Sequence, residues 1–435
     1  MRCLSVTRKQ PCLFSATLFF ALIVPMISST TLVASDWPAF RGPRGDGYAV
    51  NDEAPTKWSD QENIAWKVAL PRPANGSPIV SRGHVFVTSA QDEKGHQRSL
   101  YAFDRKTGKE LWVRTVNIDK DLPTHETNPF CGTTPVSNGE RVVVWHASAG
   151  LYCYDFAGKE LWKRDLGEYQ HMWGYGTSPV LDGDRVILHT GPGKKVSLIC
   201  LSLTDGKTRW QHDEPIEGDG NYNTTMKYMG SWATPLITKV GETVQVICPF
   251  PTRVVSFQPA DGKTLWICDG IRGPKGDLSY SSPIIVNDLC FVTGGFNGPS
   301  MSIRLGGSGN ITESHRVWRL EQNPQSIGSG VAHDGHVYRP NAGPGTIECI
   351  DPKTGNVLWT ERAGGGTYWS SIVSANGLAY AVNQNGGTVV FRPNAKAFES
   401  VAMNELKEAT NATPAISDGQ IFFRTAGHLI CVGKK

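Results

Sequence analysis

Apolar and polar residues alternate in short runs, broken by Gly, Pro, Asn and Asp, through most of the chain, which is the period of half-buried strands. In the stretch AGLYCYDFAGKELW, Leu151 and Cys153 alternate with Tyr152 and Tyr154, a Gly-bearing turn follows, and a second strand closes on Leu161 and Trp162. The same hairpin recurs as SLYAFDRKTGKELW ending at Trp112, LICLSLTDGKTRW at Trp210, VVSFQPADGKTLW at Trp266 and TIECIDPKTGNVLW at Trp359, with a longer version closing on Trp318. Self-similarity at this period is the signature of propeller blades.

Each full unit predicts four strands. The first begins at Ser77-Pro78, Thr134-Pro135, Ser178-Pro179, Thr234-Pro235, Ser282-Pro283, Ser329-Gly330, Ser370-Ser371 or Thr413-Pro414, which makes eight starts. A turn of the Asn-Gly or Asp-Gly type leads to the second strand, and the repeated hairpin supplies the third and fourth. The last unit, Ala412 to Val432, has only three strands, whereas Asn63–Leu70 (NIAWKVAL) is a Trp-bearing strand without a unit. The pattern therefore predicts an all-β, eight-bladed propeller of four-stranded antiparallel blades, with the N-terminal strand completing the last blade so that no edge is left open. Seven blades would require the weak unit from Ser370 to Ser400 to be irregular.

Residues 1–35 read as a secretory signal: Arg2, Arg8 and Lys9 lead an apolar run from Cys12 to Ile27, and Val33-Ala34-Ser35 precede Asp36. The run is short and interrupted for a spanning helix, so the expected address is periplasmic or extracellular, with no transmembrane span once the signal is removed; the alternative is an uncleaved N-terminal anchor. Residues 36–62 form an extended arm whose Trp37, Phe40, Tyr48 and Trp58 need somewhere to pack; Arg44-Gly45-Asp46 within it is a Gly-rich turn. The propeller occupies 63–435. Formal net charge is +3, with both signs interspersed, which excludes a nucleic-acid stripe. Of ten cysteines, Cys153, Cys200, Cys349 and Cys431 occupy the third position of the repeated strand, where other units carry small apolar residues. They read as buried free thiols, not as disulfides.

The motif Leu-Tyr-Cys-Tyr-Asp, turn, Gly-Lys-Glu-Leu-Trp resembles the quinoprotein-type (PQQ-like) propeller repeat, in which the Trp stacks on the next blade's turn; the resemblance covers residues 63–433. WPAFRGPRGDG, THETNPFCGTTPV and TNATPAISDG further resemble secreted PQQ-repeat proteins of planctomycete type. More distantly the chain is similar to the propeller lipoprotein of outer-membrane β-barrel assembly. The resemblance implies the fold and two functional classes, PQQ-dependent dehydrogenases and non-enzymatic binding propellers.

Candidate chemistry concentrates in the loops that precede each first strand, where Asn75, Gln170, Tyr175, Trp232 and Tyr280 join the residues named next. Arg72, Glu126, Asn128, Trp173, Tyr222, Arg272, Gln325, Trp369 and Asn411 are the expected ligand-binding set, suited to a small polar or saccharide ligand. His125 and His171 occupy comparable positions in successive units and, with Asp277, are the catalytic candidates; no metal-ligand spacing accompanies them. The resemblance adds that a quinone would need a stacking Trp (Trp173, Trp232 or Trp369), Ca²⁺ held by Glu126 and Asn128, an Asp base, and usually an adjacent Cys-Cys disulfide, which this chain lacks. The reading is a monomeric binding or scaffold module of the cell envelope, with an envelope protein or a small polar ligand as partner and no assigned cofactor. The alternative is a quinoprotein-like oxidoreductase using PQQ and Ca²⁺, or a carbohydrate-active enzyme. The glycine-rich segments Gly294–Gly298 and Leu305–Asn310 of the fifth unit are expected to make a long, sharply twisted hairpin, not a phosphate loop.

Overall fold

The structure, a computed structural model, describes residues 36–49 and 53–434 together with a few positions among the first ten. The expected signal segment lies largely outside the described residues. Ala34–Lys435 forms one compact unit.

Eight antiparallel sheets follow one another around a ring. Their innermost strands are Ile79–Ser81, Val136–Ser137, Val180–Asp182, Leu236–Val240, Ile284–Val286, Val331–His333, Val373–Ala375 and Ala415–Ser417, and we number blades 1 to 8 by them. Blade 7 is regular, so the count of eight stands. In blade 8 the outer strand is Ile64–Ala69, paired antiparallel with His428–Val432, so the N-terminal strand closes the ring.

The repeated Trp seals one blade to the next. Trp112 of blade 1 donates its Nε1–H to the Phe156 carbonyl of blade 2 at 2.9 Å, and Trp66, Trp162, Trp210, Trp318 and Trp359 make the equivalent bond. The indole lies on the turn glycine of that next blade. A Cβ on Gly158 would sit 2.8 Å from the Trp112 ring, and one on Gly206 2.7 Å from Trp162. This is why Gly and Trp recur together. Trp266 of blade 4 departs: it is fully buried and donates to Gln245 Oε1 of its own blade at 3.0 Å.

The space left at that junction is filled from blade 5. Gly309–Asn310 pairs parallel with Trp266 and Ile267, and a short helical turn, Thr312–His315, follows. The expected twisted hairpin is therefore corrected, because the extra residues reach across to the outer edge of blade 4. Further in, Tyr228–Ser231 and Gly276–Ser279 form a separate parallel pair.

The arm crosses the end of the ring where the first two strands of each blade turn. Trp37 exchanges both backbone bonds with Val80 of blade 1, the Pro38 carbonyl accepts from Ser137 of blade 2, and the segment then passes beneath the axis. It leaves by pairing Gly47 and Ala49 with Ser374 of blade 7, while the Tyr48 hydroxyl donates to the Ala332 carbonyl of blade 6. Trp37 and Trp58 are buried. The described cysteines are all free, and all but Cys3 are buried. Among the described residues no helix is long and apolar enough to cross a membrane.

Candidate functional site: a blind central funnel

The Ser and Thr residues that open the blades carry out a structural task. Ser77 N–H donates to Thr134 Oγ1 at 3.0 Å, Thr134 N–H to Ser178 Oγ at 2.9 Å, and Ser178 N–H to Thr234 Oγ1 at 3.1 Å. Across the ring, Ser282, Ser329, Ser371 and Thr413 continue the chain, the last returning to Ser77 at 3.0 Å. Each hydroxyl thus accepts a buried N–H that would otherwise face the channel unpaired. The girdle is interrupted once, between Thr234 and Ser282, and the Ser282 Oγ is buried without a partner.

Above this girdle opens a cavity of about 390 Å³. Phe40 of the arm lines both this cavity and the groove on the opposite face, so the channel is stopped from below. The funnel is blind.

Its wall on blades 3 to 5 is aromatic. Trp173 lies parallel to Phe296 with centroids 6.0 Å apart, 4.7 Å from Tyr228 and 5.8 Å from Trp232; Tyr280 meets Trp232 edge-on at 5.4 Å. Gly295 permits this approach, since a Cβ there would lie 2.5 Å from the Tyr280 ring. Burial pushes the Tyr280 phenol far above its usual pKa, so it stays neutral.

The opposite wall is built of amides. Asn128 donates to the Trp173 and Tyr175 carbonyls at 2.7 and 3.1 Å and accepts from Asn75 at 3.1 Å; Asn411 donates to the Thr127 carbonyl at 3.1 Å. Gln325 and the Trp369 indole also line the cavity, as does His125, whose Nδ1 is engaged by Thr127 Oγ1 at 2.9 Å. No Asp, Glu, Lys or Arg is among the lining residues.

Of the expected set, His125, Asn128, Trp173, Gln325, Trp369 and Asn411 come together in this cavity. The others do not. His171 is buried beside Trp232, its Nε2 bonded to the Met229 carbonyl at 3.0 Å and its Nδ1 accepting from the Trp173 N–H at 3.0 Å. Burial holds its pKa down at about 4, so it is a neutral brace and not a partner of His125. Asp277 is buried and binds Arg272 Nη1 at 2.9 Å and Asn223 at 3.0 Å, which leaves it a clamp between loops. Arg272 also pairs with Glu217, and Arg72 pairs with Glu93. Tyr222 stacks on Tyr228 at 5.3 Å outside the lining, and Glu126 is exposed.

Sequence reasoning missed Phe40 and Phe296. The first sits in an aperiodic arm; the second is flanked by glycines that free its loop to turn inward with Phe296 at a φ of 51°.

A quinone of the PQQ type carries three carboxylates and is held with Ca²⁺. The lining supplies stacking indoles but neither a carboxylate for the cation nor a Lys or Arg for the anion. The residues present do not fit that group.

Known proteins agree on the architecture. BamB from Moraxella catarrhalis superposes with a TM-score of 0.59 at 14% identity, covering 85% of this chain and 99% of that one. Quinohemoprotein alcohol dehydrogenase from Comamonas testosteroni gives 0.64 at 13% identity, covering 92% and 81%. At such identities the likeness shows the fold alone. Lupanine 17-hydroxylase [cytochrome c] of a Pseudomonas species is 23% identical over 336 residues, 68% of this chain; the chain spans only 45% of that relative's length. The family model described as outer membrane protein assembly factor BamB matches residues 56–129 and 96–361, well over half of the sequence. The chain thus belongs to the BamB family of PQQ-like repeat propellers.

Proposed function

We propose that the protein is an exported binding module of the cell envelope, and that its funnel takes an uncharged polar ligand of the saccharide class. One observation carries this reading: the cavity of about 390 Å³ combines aromatic platforms with amides and hydroxyls and has no permanently charged side chain in its lining. Sugar rings present apolar C–H faces that pack on indole and phenyl rings, while their hydroxyls need neutral donors and acceptors. The Gln325 side chain, which makes no hydrogen bond to the protein among the described residues, and His125 Nε2 are among the lining groups left to meet them. Export rests on the Arg2-to-Ile27 leader pattern.

Titration of intrinsic tryptophan fluorescence with neutral hexasaccharides of glucose and of N-acetylglucosamine tests this. The expected result is a saturable change with one of them that Trp173→Ala removes while thermal unfolding remains cooperative. Equal responses from the wild type and Trp173→Ala, or a response only to a polyanionic oligosaccharide, would overturn the reading.

A further inference from the structure

On the face crossed by the arm, the innermost strand of each blade turns one edge toward the axis. Val80 stands opposite Val85 across its ladder, next to the closing pair of Ser81 and His84, and its N–H and C=O point away from the sheet. The arm uses them: both bond to Trp37 at 2.9 and 2.8 Å. Ser137 and Ser374 hold the same register position in blades 2 and 7, and their N–H groups donate to Pro38 and Gly47 at 2.8 and 2.7 Å. Those three residues are buried.

Leu181, Ile237 and Ile285, like Val80, Ser137 and Ser374 each the third residue after the Ser or Thr that opens its blade, stand at outward-facing ladder positions of blades 3, 4 and 5, opposite Val186, Val246 and Cys290. Among the described residues, no backbone group of the arm bonds to them. Their backbone groups enter none of the inter-segment bonds that Val80, Ser137 and Ser374 make, and all three residues are only half-buried. Blade 4 has a longer inner strand, so Lys239 offers a second outward pair of groups. These residues line one groove of about 720 Å³, continuous with the arm, whose Arg41 forms part of its wall. Arg41 is 1% exposed, and its Nε and Nη1 find no acceptor. Its one remaining nitrogen bonds the Gly330 and Asp46 carbonyls. Asp46 acts on the guanidinium through its charge, but two buried nitrogens are left without an acceptor, which favours a further carboxylate at this end of the groove.

We infer that this groove receives an extended peptide segment of a partner protein, apolar on alternate residues and acidic at the end that meets Arg41, paired by backbone hydrogen bonds to Ile237 and Lys239 with Leu181 or Ile285 alongside. The arm already demonstrates the mode on the other half of the ring, and strand addition to an open edge is a general way to bind peptides. The site is separate from the funnel and does not depend on what the funnel binds.

Amide hydrogen exchange of the purified protein, alone and with N-acetyl-Glu-Val-Thr-Val-Thr-Val-amide, tests the inference. In the free protein, the amides of Leu181, Ile237 and Ile285 exchange about tenfold or more faster than those of Val80, Ser137 and Ser374. The peptide slows the first three and leaves the funnel unaffected. N-methylation of its alternate amides keeps the side chains but weakens binding about tenfold, the value of one hydrogen bond. Replacing its Glu by Gln weakens binding a few-fold. Equal protection of all six amides in the free protein, no protection with millimolar peptide, unaltered binding by the N-methylated or Gln peptide, or protection confined to the funnel would each overturn it.

Discussion

Two junctions in the ring are built differently. Between blades 1 and 2, Trp112 reaches the Phe156 carbonyl over Gly158, and Ser77 N–H finds Thr134 Oγ1. Between blades 4 and 5, Trp266 turns back to Gln245, the hydroxyl girdle is interrupted, and short extra strands from blade 5 and the entering loops fill both ends of the seam. The aromatic wall stands on this side, and so does the groove that the arm leaves uncovered. Where the repeat is kept, its residues close the ring; where it lapses, residues line the aromatic wall and the open groove.

Truncating the buried indoles should have the largest effect. Trp266→Ala and Trp112→Ala each empty a buried site and should lower unfolding free energy by about 3–5 kcal/mol, read from urea midpoints. If Trp112→Ala were neutral, the regular junction would not be what holds the blades.

Acid should come next. His171 and His189 titrate at about 4 and His146 at about 3, all held below the ordinary 6.5 by burial. The folded state favours their neutral forms, so their contribution is present above pH 6.5 and is lost as pH falls toward 4, because the unfolded chain binds the protons first. Each can contribute a slope of up to about 1.4 kcal/mol per pH unit in that window. Urea midpoints at pH 7, 5.5 and 4.5 should fall accordingly; a flat profile would show that these rings are hydrated.

Smaller still is the contrast within the girdle. Thr134→Val strands the Ser77 N–H and should cost about 1–3 kcal/mol. Ser282→Ala removes a hydroxyl that already lacks a partner and should be neutral or slightly stabilising. Equal costs would mean that the girdle is intact at blade 5.

The ring was legible because its signals are local and repeated: Asn-Gly turns, alternating strands, and a stray Trp strand that matched the one blade 8 lacks. The funnel was half legible. Asn128, Trp173 and Gln325 could be placed by their loops, but a loop's composition does not say which side chains turn inward. His171 and Asp277 read as catalytic candidates because their partners Met229 and Asn223 come from other segments of the chain. The arm's passage beneath the axis depends on pairings with Val80 of blade 1 and Ser374 of blade 7, nearly three hundred residues apart in sequence, which no local pattern encodes. Glu126 is a further example: it is exposed, and Glu126→Ala should change neither stability nor ligand affinity beyond about 0.5 kcal/mol.

The most direct test of a neutral, aromatic funnel is thermal unfolding of the protein with saturating neutral oligosaccharide and, in parallel, with PQQ and Ca²⁺. A ligand of the folded state at a hundred times its dissociation constant adds about 2.7 kcal/mol. The account predicts a higher midpoint with the sugar, abolished by Trp173→Ala, and none with PQQ and Ca²⁺. A shift with PQQ and Ca²⁺ that Trp173→Ala removes, without one for the sugar, would contradict it.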